Sequence, residues 1–191
     1  MNVKDAIEKR RAYRSLKPVE ISLEILDELA KAARLAPSCF NNQPWRYVFV
    51  HDPDTLKQMH DVLSTGNEWA QRASMIVVVT AKKTDDCVIR DRDFYYAFDT
   101  GMATAFLILR ATELGLLAHP IAGFSPRKTR EILAIPDDVP VIALLIVGKK
   151  SEEINELLSA SQIESEKERP ARHSLEKIVH HDRFKPEDKG I

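Results

Sequence analysis

Glycine is scarce in this sequence, six residues among 191, and the G-x-G-x-x-G and GxxxxGK patterns are missing. That excludes the loops in which backbone N–H groups cradle a phosphate, so any bound phosphate has to be held by side chains. The GxSxG elbow and the HExxH pattern are missing too, which removes the usual carriers of a hydrolase triad or a metalloprotease zinc. Cysteine is almost absent. Cys39 and Cys87 form no CxxC or metal-ligand spacing, which points to a reducing cytoplasm and leaves a single disulfide open. Excess charge is lacking as well: 28 Lys and Arg face 29 Asp and Glu, a net −1, so no global field recruits nucleic acid or an anionic membrane. No apolar run reaches the roughly 18 residues of a membrane span, and no charged-then-apolar leader opens the chain. The expectation is a cytoplasmic protein with neither nucleic acid nor membrane as partner.

What is present is globular material, 44% hydrophobic and 30% charged, enough for one domain with a real core. Asn2 can cap a helix over residues 2–11 with Val3, Ala6 and Ile7 on one face. Ser22 opens a second helix with Leu26, Leu29, Ala30 and Ala33 as its stripe, ended by Pro37. Residues 45–50 read as a strand, and Asp52-Pro53 starts a helix that buries Leu56, Met59 and Leu63. Segment 74–80 holds an unbroken apolar run, the pattern of a strand buried on both faces. A long helix is expected over 92–114. Met102, Ala105, Phe106, Ile108 and Leu109 make its second half apolar almost all round, so it should cross the centre of the core and end at a left-handed Gly115. Ser125-Pro126 starts a short helix, stopped near Pro136, and 141–147 is the last strong strand.

Beyond residue 148 the chain turns charged. Run 164–169 reads as solvated, His180-His181-Asp182 as a solvated tail, and only Leu175, Ile178 and Val179 look like anchors. The predicted class is α+β, a mixed central sheet of at least three strands flanked by helices. It forms one unit over 1–191, with a core over 1–148 and a C-terminal arm over 149–191 that cannot bury much by itself.

Three segments carry candidate chemistry. In Lys9-Arg10-Arg11-Ala12-Tyr13-Arg14, four cations in six residues can clamp a phosphate through guanidinium forks; a solvated helix end is the plainer reading. In 36–46, two prolines stiffen a loop bearing Ser38, Asn41, Asn42 and Gln43, whose amides suit a heterocycle edge of alternating donors and acceptors; an ordinary turn would use the same residues. In 114–124, Gly115 and Gly123 between apolar residues allow a flat ligand close to the backbone; a tight core connection fits as well. Cys39 by itself reads as a small buried thiol.

In order and approximate spacing these segments resemble the nitroreductase (flavin reductase-like) family. The basic opening near residue 10, the PSxxNxQPW stretch at 37–45, the long helix ending in LGL, the PIxGF segment and a C-terminal arginine all recur there. The resemblance implies non-covalent FMN, NAD(P)H as electron donor, and nitroaromatic, quinone or flavin-type acceptors reduced in a ping-pong cycle. It also implies a homodimer that exchanges arms. Flavin-cleaving or dehalogenating chemistry on the same fold, or FMN binding without turnover, are the alternatives. By position, Arg10 would face the phosphate, Arg11 would support it, and Arg14 would lie nearer the N1/O2 edge of the ring. Pro37, Ser38, Asn41 and Gln43 would come from the partner subunit, and Pro120, Ile121, Ala122 and Gly123 would run along the ring. Arg172 would reach the phosphate from the arm, and Asn67 would contact the pyrimidine. Hydride passes through the flavin, so no catalytic side chain and no metal are expected. Ala12 departs from a frequent serine and Ala122 from an acidic residue in larger members.

Overall fold

Five strands and seven helices order residues 1–92 and 94–185, the part of the chain that this computed structural model describes. They run α1 Val3–Lys9, β1 Leu16–Lys17, α2 Leu23–Arg34, β2 Trp45–Val50, α3 Pro53–Met59, β3 Met75–Ala81, α4 Tyr95–Glu113, β4 Leu117–Ile121, α5 Pro126–Leu133, β5 Val141–Lys150, α6 Ala160–Lys167 and α7 Leu175–Ile178. The starts follow the caps: side chains of Asn2, Ser22, Asp52 and Ser125 accept from N–H groups in the first turns of α1, α2, α3 and α5. Gly115, at φ 77°, turns the chain out of α4.

β5 is the hub of the sheet. β3 pairs with it on one side, β4 and β1 on the other, and β2 extends the sheet beyond β3. Every one of these pairings is antiparallel, so the α+β class holds but the sheet is antiparallel where a mixed one was expected. The run 75–79 marks burial on both faces, and burial carries no information about strand direction. Alternate residues of β3 serve two cores. Ile76 and Val78 face Met59, Val62, Trp69, Phe124, Leu144 and Ile146. Met75, Val77 and Val79 face Leu29, Ala33, Ala103, Leu107, Ala111 and Leu145. Helices α2 and α4 therefore cover one face, with α3, α5 and the turn around Trp69 on the other.

Several expectations are corrected. In α1 only Ala6 is buried, and Val3 and Ile7 are exposed; in α2 Ala30 is exposed. The long helix begins at Tyr95 rather than Arg92, and Asp93 lies outside the described residues. It does not cross the centre of the core. Ala103, Leu107 and Ala111, spaced four apart, pack on the sheet, whereas Ala105 and Phe106 face outward and Phe106 is 41% exposed. Phe106 and Leu109 border a groove of about 360 Å³ with Met1, Val3, Ala32 and Leu35.

In the arm, segment 164–169 is not simply solvated. It is largely α6, and Glu166 on it is buried. The anchors are Leu158, Asn155 and Ile163, while Leu175, Ile178 and Val179 are exposed. Residues 186–191 of the expected arm lie outside the described residues. Cys39 is not a free buried thiol: it is half-buried and joined to Cys87 in a disulfide, with the Cα atoms 6.1 Å apart. Among the described residues no helix is long and apolar enough to cross a membrane.

Candidate active site: an arginine cleft and the turn beside it

Residues 10–15 leave the C-terminus of α1 and enter β1. What shapes this stretch is the face of α6 that carries Gln162, Ser165 and Glu166, residues three and four apart and so on one side of the helix. The Glu166 carboxylate accepts from Arg14 N at 2.8 Å through one oxygen and from Ser15 N at 3.2 Å through the other. Ser165 Oγ accepts from Arg14 Nη1 at 2.9 Å, and the Ser165 carbonyl accepts from Arg11 Nη2 at 3.0 Å. Gln162 Nε2 donates to the Gly66 carbonyl at 2.8 Å. One helix thus ties the arginine loop to the turn at 64–67.

Between this loop and the following arm lies a cleft of about 220 Å³ lined by Arg10, Arg11, Ala12, Arg14, Ser165, Arg169, Pro170 and Arg172. Arg169 is fixed from behind, its Nη2 donating to the carbonyls of Glu8 and Arg10. The Arg10 guanidinium is held below its ordinary pKa, first by burial and then by the charges of Arg169 and Arg172. No carboxylate stands among the lining residues. Guanidiniums that converge with no carboxylate among the described lining residues make a site for an anion, and the fork geometry suits phosphate oxygens.

From the cleft the site continues toward β4. Arg14 Cζ lies 5.9 Å from the centre of the Trp69 ring, and Trp69 packs on His119 with ring centres 4.7 Å apart. His119 Nδ1 is 3.0 Å from the Tyr13 carbonyl, so the neutral ring carries its proton there. Burial above all pushes the His119 pKa down to about 4, against the bond to Tyr13, which pulls it up. Near neutral pH this is an uncharged spacer. Because the folded pKa lies below the unfolded value, stability is full above about pH 6.5 and is lost as pH falls toward about 4, where the unfolded chain takes up a proton the folded ring refuses. The loss should reach on the order of 3 kcal/mol. Urea midpoints at neutral and acid pH check this, and His119→Gln should flatten the difference.

Asn67 and Gly123 meet at the far end. Asn67 Nδ2 donates to the Gly123 carbonyl at 2.9 Å, and a Cβ on Gly123 would collide with that amide nitrogen. Ile121 is buried in the core at the end of β4, while Pro120 and Ala122 are exposed. Loop 37–44 is separate. Ser38 Oγ accepts from Gln43 N and Gln43 Nε2 donates to the Asn41 carbonyl, both at 2.9 Å. Phe40, Asn41 and Gln43 hold φ of 47°, 59° and 50°, and strain of this kind persists only where surroundings impose it. None of Pro37, Ser38, Asn41 and Gln43 lines the arginine cleft of its own chain.

The structure therefore gathers Arg10, Arg11, Arg14 and Arg172 at one cleft and Asn67 with Gly123 beside it. It also adds Arg169, Ser165, Glu166, Trp69 and His119, which sequence reasoning passed over. Only Arg169 had a usable signal, its place in the same RPxR segment as Arg172.

Comparison with known proteins gives the family. The nitroreductase family model matches residues 7–74 and 63–149. A putative NADH dehydrogenase/NAD(P)H nitroreductase of Archaeoglobus fulgidus is 32% identical over 149 residues, 75% of this chain and 83% of that protein. An NADH dehydrogenase of Thermus thermophilus is 27% identical over 183 residues, 80% of this chain and 89% of the other. A solved oxidoreductase containing FMN superposes with a TM-score of 0.82 at 28% identity, covering 97% of this chain and 94% of its own. With most of its length matched by the family model, and an antiparallel α+β core to carry it, the chain belongs to the nitroreductase family.

Proposed function

We propose that this chain is a cytoplasmic FMN-dependent oxidoreductase that takes electrons from NAD(P)H and passes them to nitroaromatic, quinone or flavin-type acceptors. The observation that carries the reading is the arginine cleft: Arg10, Arg169 and Arg172 converge without a carboxylate among the lining residues, which fits the phosphate of FMN. The cofactor named for the solved oxidoreductase above points the same way. Bound FMN would supply the two-electron chemistry that side chains lack.

The chain's own residues then hold and orient. Arg10, Arg169 and Arg172 bind the phosphate, with Arg11 in support. Arg14 offers a cation to the pyrimidine edge, where positive charge favours electron uptake. Pro120, Ile121, Ala122 and Gly123 present backbone along the ring, and Asn67 borders it. Pro37, Ser38, Asn41 and Gln43 reach the ring of a second copy, in keeping with their distance from the home cleft's lining. Two copies would meet through the open face of α4 around Phe106 and Leu109, each embraced by the other's arm, as one unit of core 1–148 and arm 149–191.

The purified protein should be yellow, bleach under NAD(P)H and recover colour with an acceptor. Steady-state rates should give parallel double-reciprocal lines, because one site serves donor and acceptor in turn. A colourless protein that ignores added FMN would refute the reading.

A further inference from the structure

Cys39 and Cys87 lie 48 residues apart in sequence and meet beside the Asp86 carboxylate. Cys39 stands in the strained loop before β2, Cys87 in the segment after β3, and Asp99 on α4. One ligand atom each from Cys39, Asp86 and Cys87 falls within 4.8 Å of the others. Asp86 Oδ1 accepts the Cys87 N–H at 2.7 Å, and Asp99 Oδ2 accepts the Cys39 N–H at 2.7 Å. Each carboxylate therefore grips the backbone of one cysteine, and each has its second oxygen left over. Asp86 Oδ2 and Asp99 Oδ1 are buried with no hydrogen-bond partner among the described residues, on residues only 7% and 1% exposed. Buried carboxylate oxygens are almost always paired or bound to a cation, and a disulfide has no donor or charge to offer them.

We propose that in the dithiol state Cys39, Cys87 and Asp86 bind a divalent transition ion of zinc's type through two thiolates and one carboxylate, with Asp99 holding the Cys39 backbone from α4. The donor set is the mixed sulfur and oxygen chemistry that zinc accepts in tetrahedral sites. With Zn–S near 2.3 Å, the sulfurs of such a site stand about 3.8 Å apart, a separation reached by side-chain rotation from Cα atoms 6.1 Å apart. The chemistry balances. A thiol or phosphine reductant gives two electrons, and with two protons the disulfide becomes two thiols. The ion then displaces those two protons and the thiolates bind it. Metal and disulfide are thus exclusive states of one site, and either one pins the loop 38–43 to the segment after β3. The inference does not depend on FMN.

The test is to reduce the folded protein anaerobically with a phosphine, remove the reductant, and titrate with Co²⁺ as a spectroscopic stand-in for Zn²⁺. A thiolate-to-metal charge-transfer band and tetrahedral visible bands should grow to saturation at a single ion per chain, and Zn²⁺ should bleach them. Cys87→Ser should abolish the bands. Asp86→Asn, which keeps both thiols and an oxygen for the Cys87 N–H, should weaken Zn²⁺ binding about tenfold or more. The inference is overturned if the reduced wild-type protein, with an unchanged circular dichroism spectrum, takes up no more Co²⁺ than Cys87→Ser, or if Asp86→Asn binds as tightly as wild type.

Discussion

Glu166→Ala should cost roughly 2–6 kcal/mol of stability, since it strips the acceptors from two backbone N–H groups that water cannot readily reach. Ser15 is 1% exposed and its N–H, like that of Arg14, ends on the Glu166 carboxylate. Each orphaned group costs about 1–3 kcal/mol, and small proteins hold only about 5–15 kcal/mol in all. Glu166→Gln retains one acceptor oxygen and should lose about half as much. The effect is to be read as a shift in urea midpoint at unchanged slope. The same variant should loosen the arginine loop, because Arg14 and Arg11 are held by neighbouring Ser165 on the same helix. A shift below about 1 kcal/mol would mean that water replaces the carboxylate and that α6 does not set the loop.

Gly123→Val should cut turnover on the order of a hundredfold, the scale on which a misplacement of about an ångström disables a site. The cause is local and testable. A side chain at Gly123 runs into the Asn67 amide, which must swing off the Gly123 carbonyl it now binds. Ser64 N donates to that same carbonyl at 3.0 Å, so the whole 64–67 turn has to move with it. Gly123→Ala is the milder probe. If Asn67 is the obstacle, adding Asn67→Ala should restore much of the loss, a coupling that a double-mutant cycle reads directly. If the bound ring itself is the obstacle, removing Asn67 will give no relief.

Much of this architecture was legible because local chemistry and tertiary role agreed. The capped starts at Ser22, Asp52 and Ser125, the run at 75–79 and the left-handed Gly115 each have a physical signature that survives folding. β4 was hidden because Pro120 and the small residues around it look like a connection, yet a strand can seat proline where its missing N–H is not needed. β1, at two residues, is set entirely by its pairing with β5. The direction of the strands was not in the pattern at all. Among site residues, the cations of 10–14 stood out by density, and Arg172 and Asn67 came from family resemblance rather than from periodicity. Glu166 could not be found this way. A buried carboxylate satisfied by backbone N–H groups reads in sequence like any other member of a charged run. Nor does a separation of 48 residues announce that Cys39 and Cys87 will meet.

The central claim is that the arginine cleft recognises a phosphate, and riboflavin, which lacks one, isolates that contribution. Cofactor-free protein should be titrated with FMN and with riboflavin while flavin fluorescence is followed. FMN should bind roughly 10³–10⁶-fold more tightly, as three charge-assisted contacts of about 1.5–3 kcal/mol each would give. Arg10→Ala should remove roughly 1.5–3 kcal/mol from FMN binding and leave riboflavin almost unchanged. Equal affinities for the two flavins, or an Arg10→Ala variant that weakens both alike, would contradict the account.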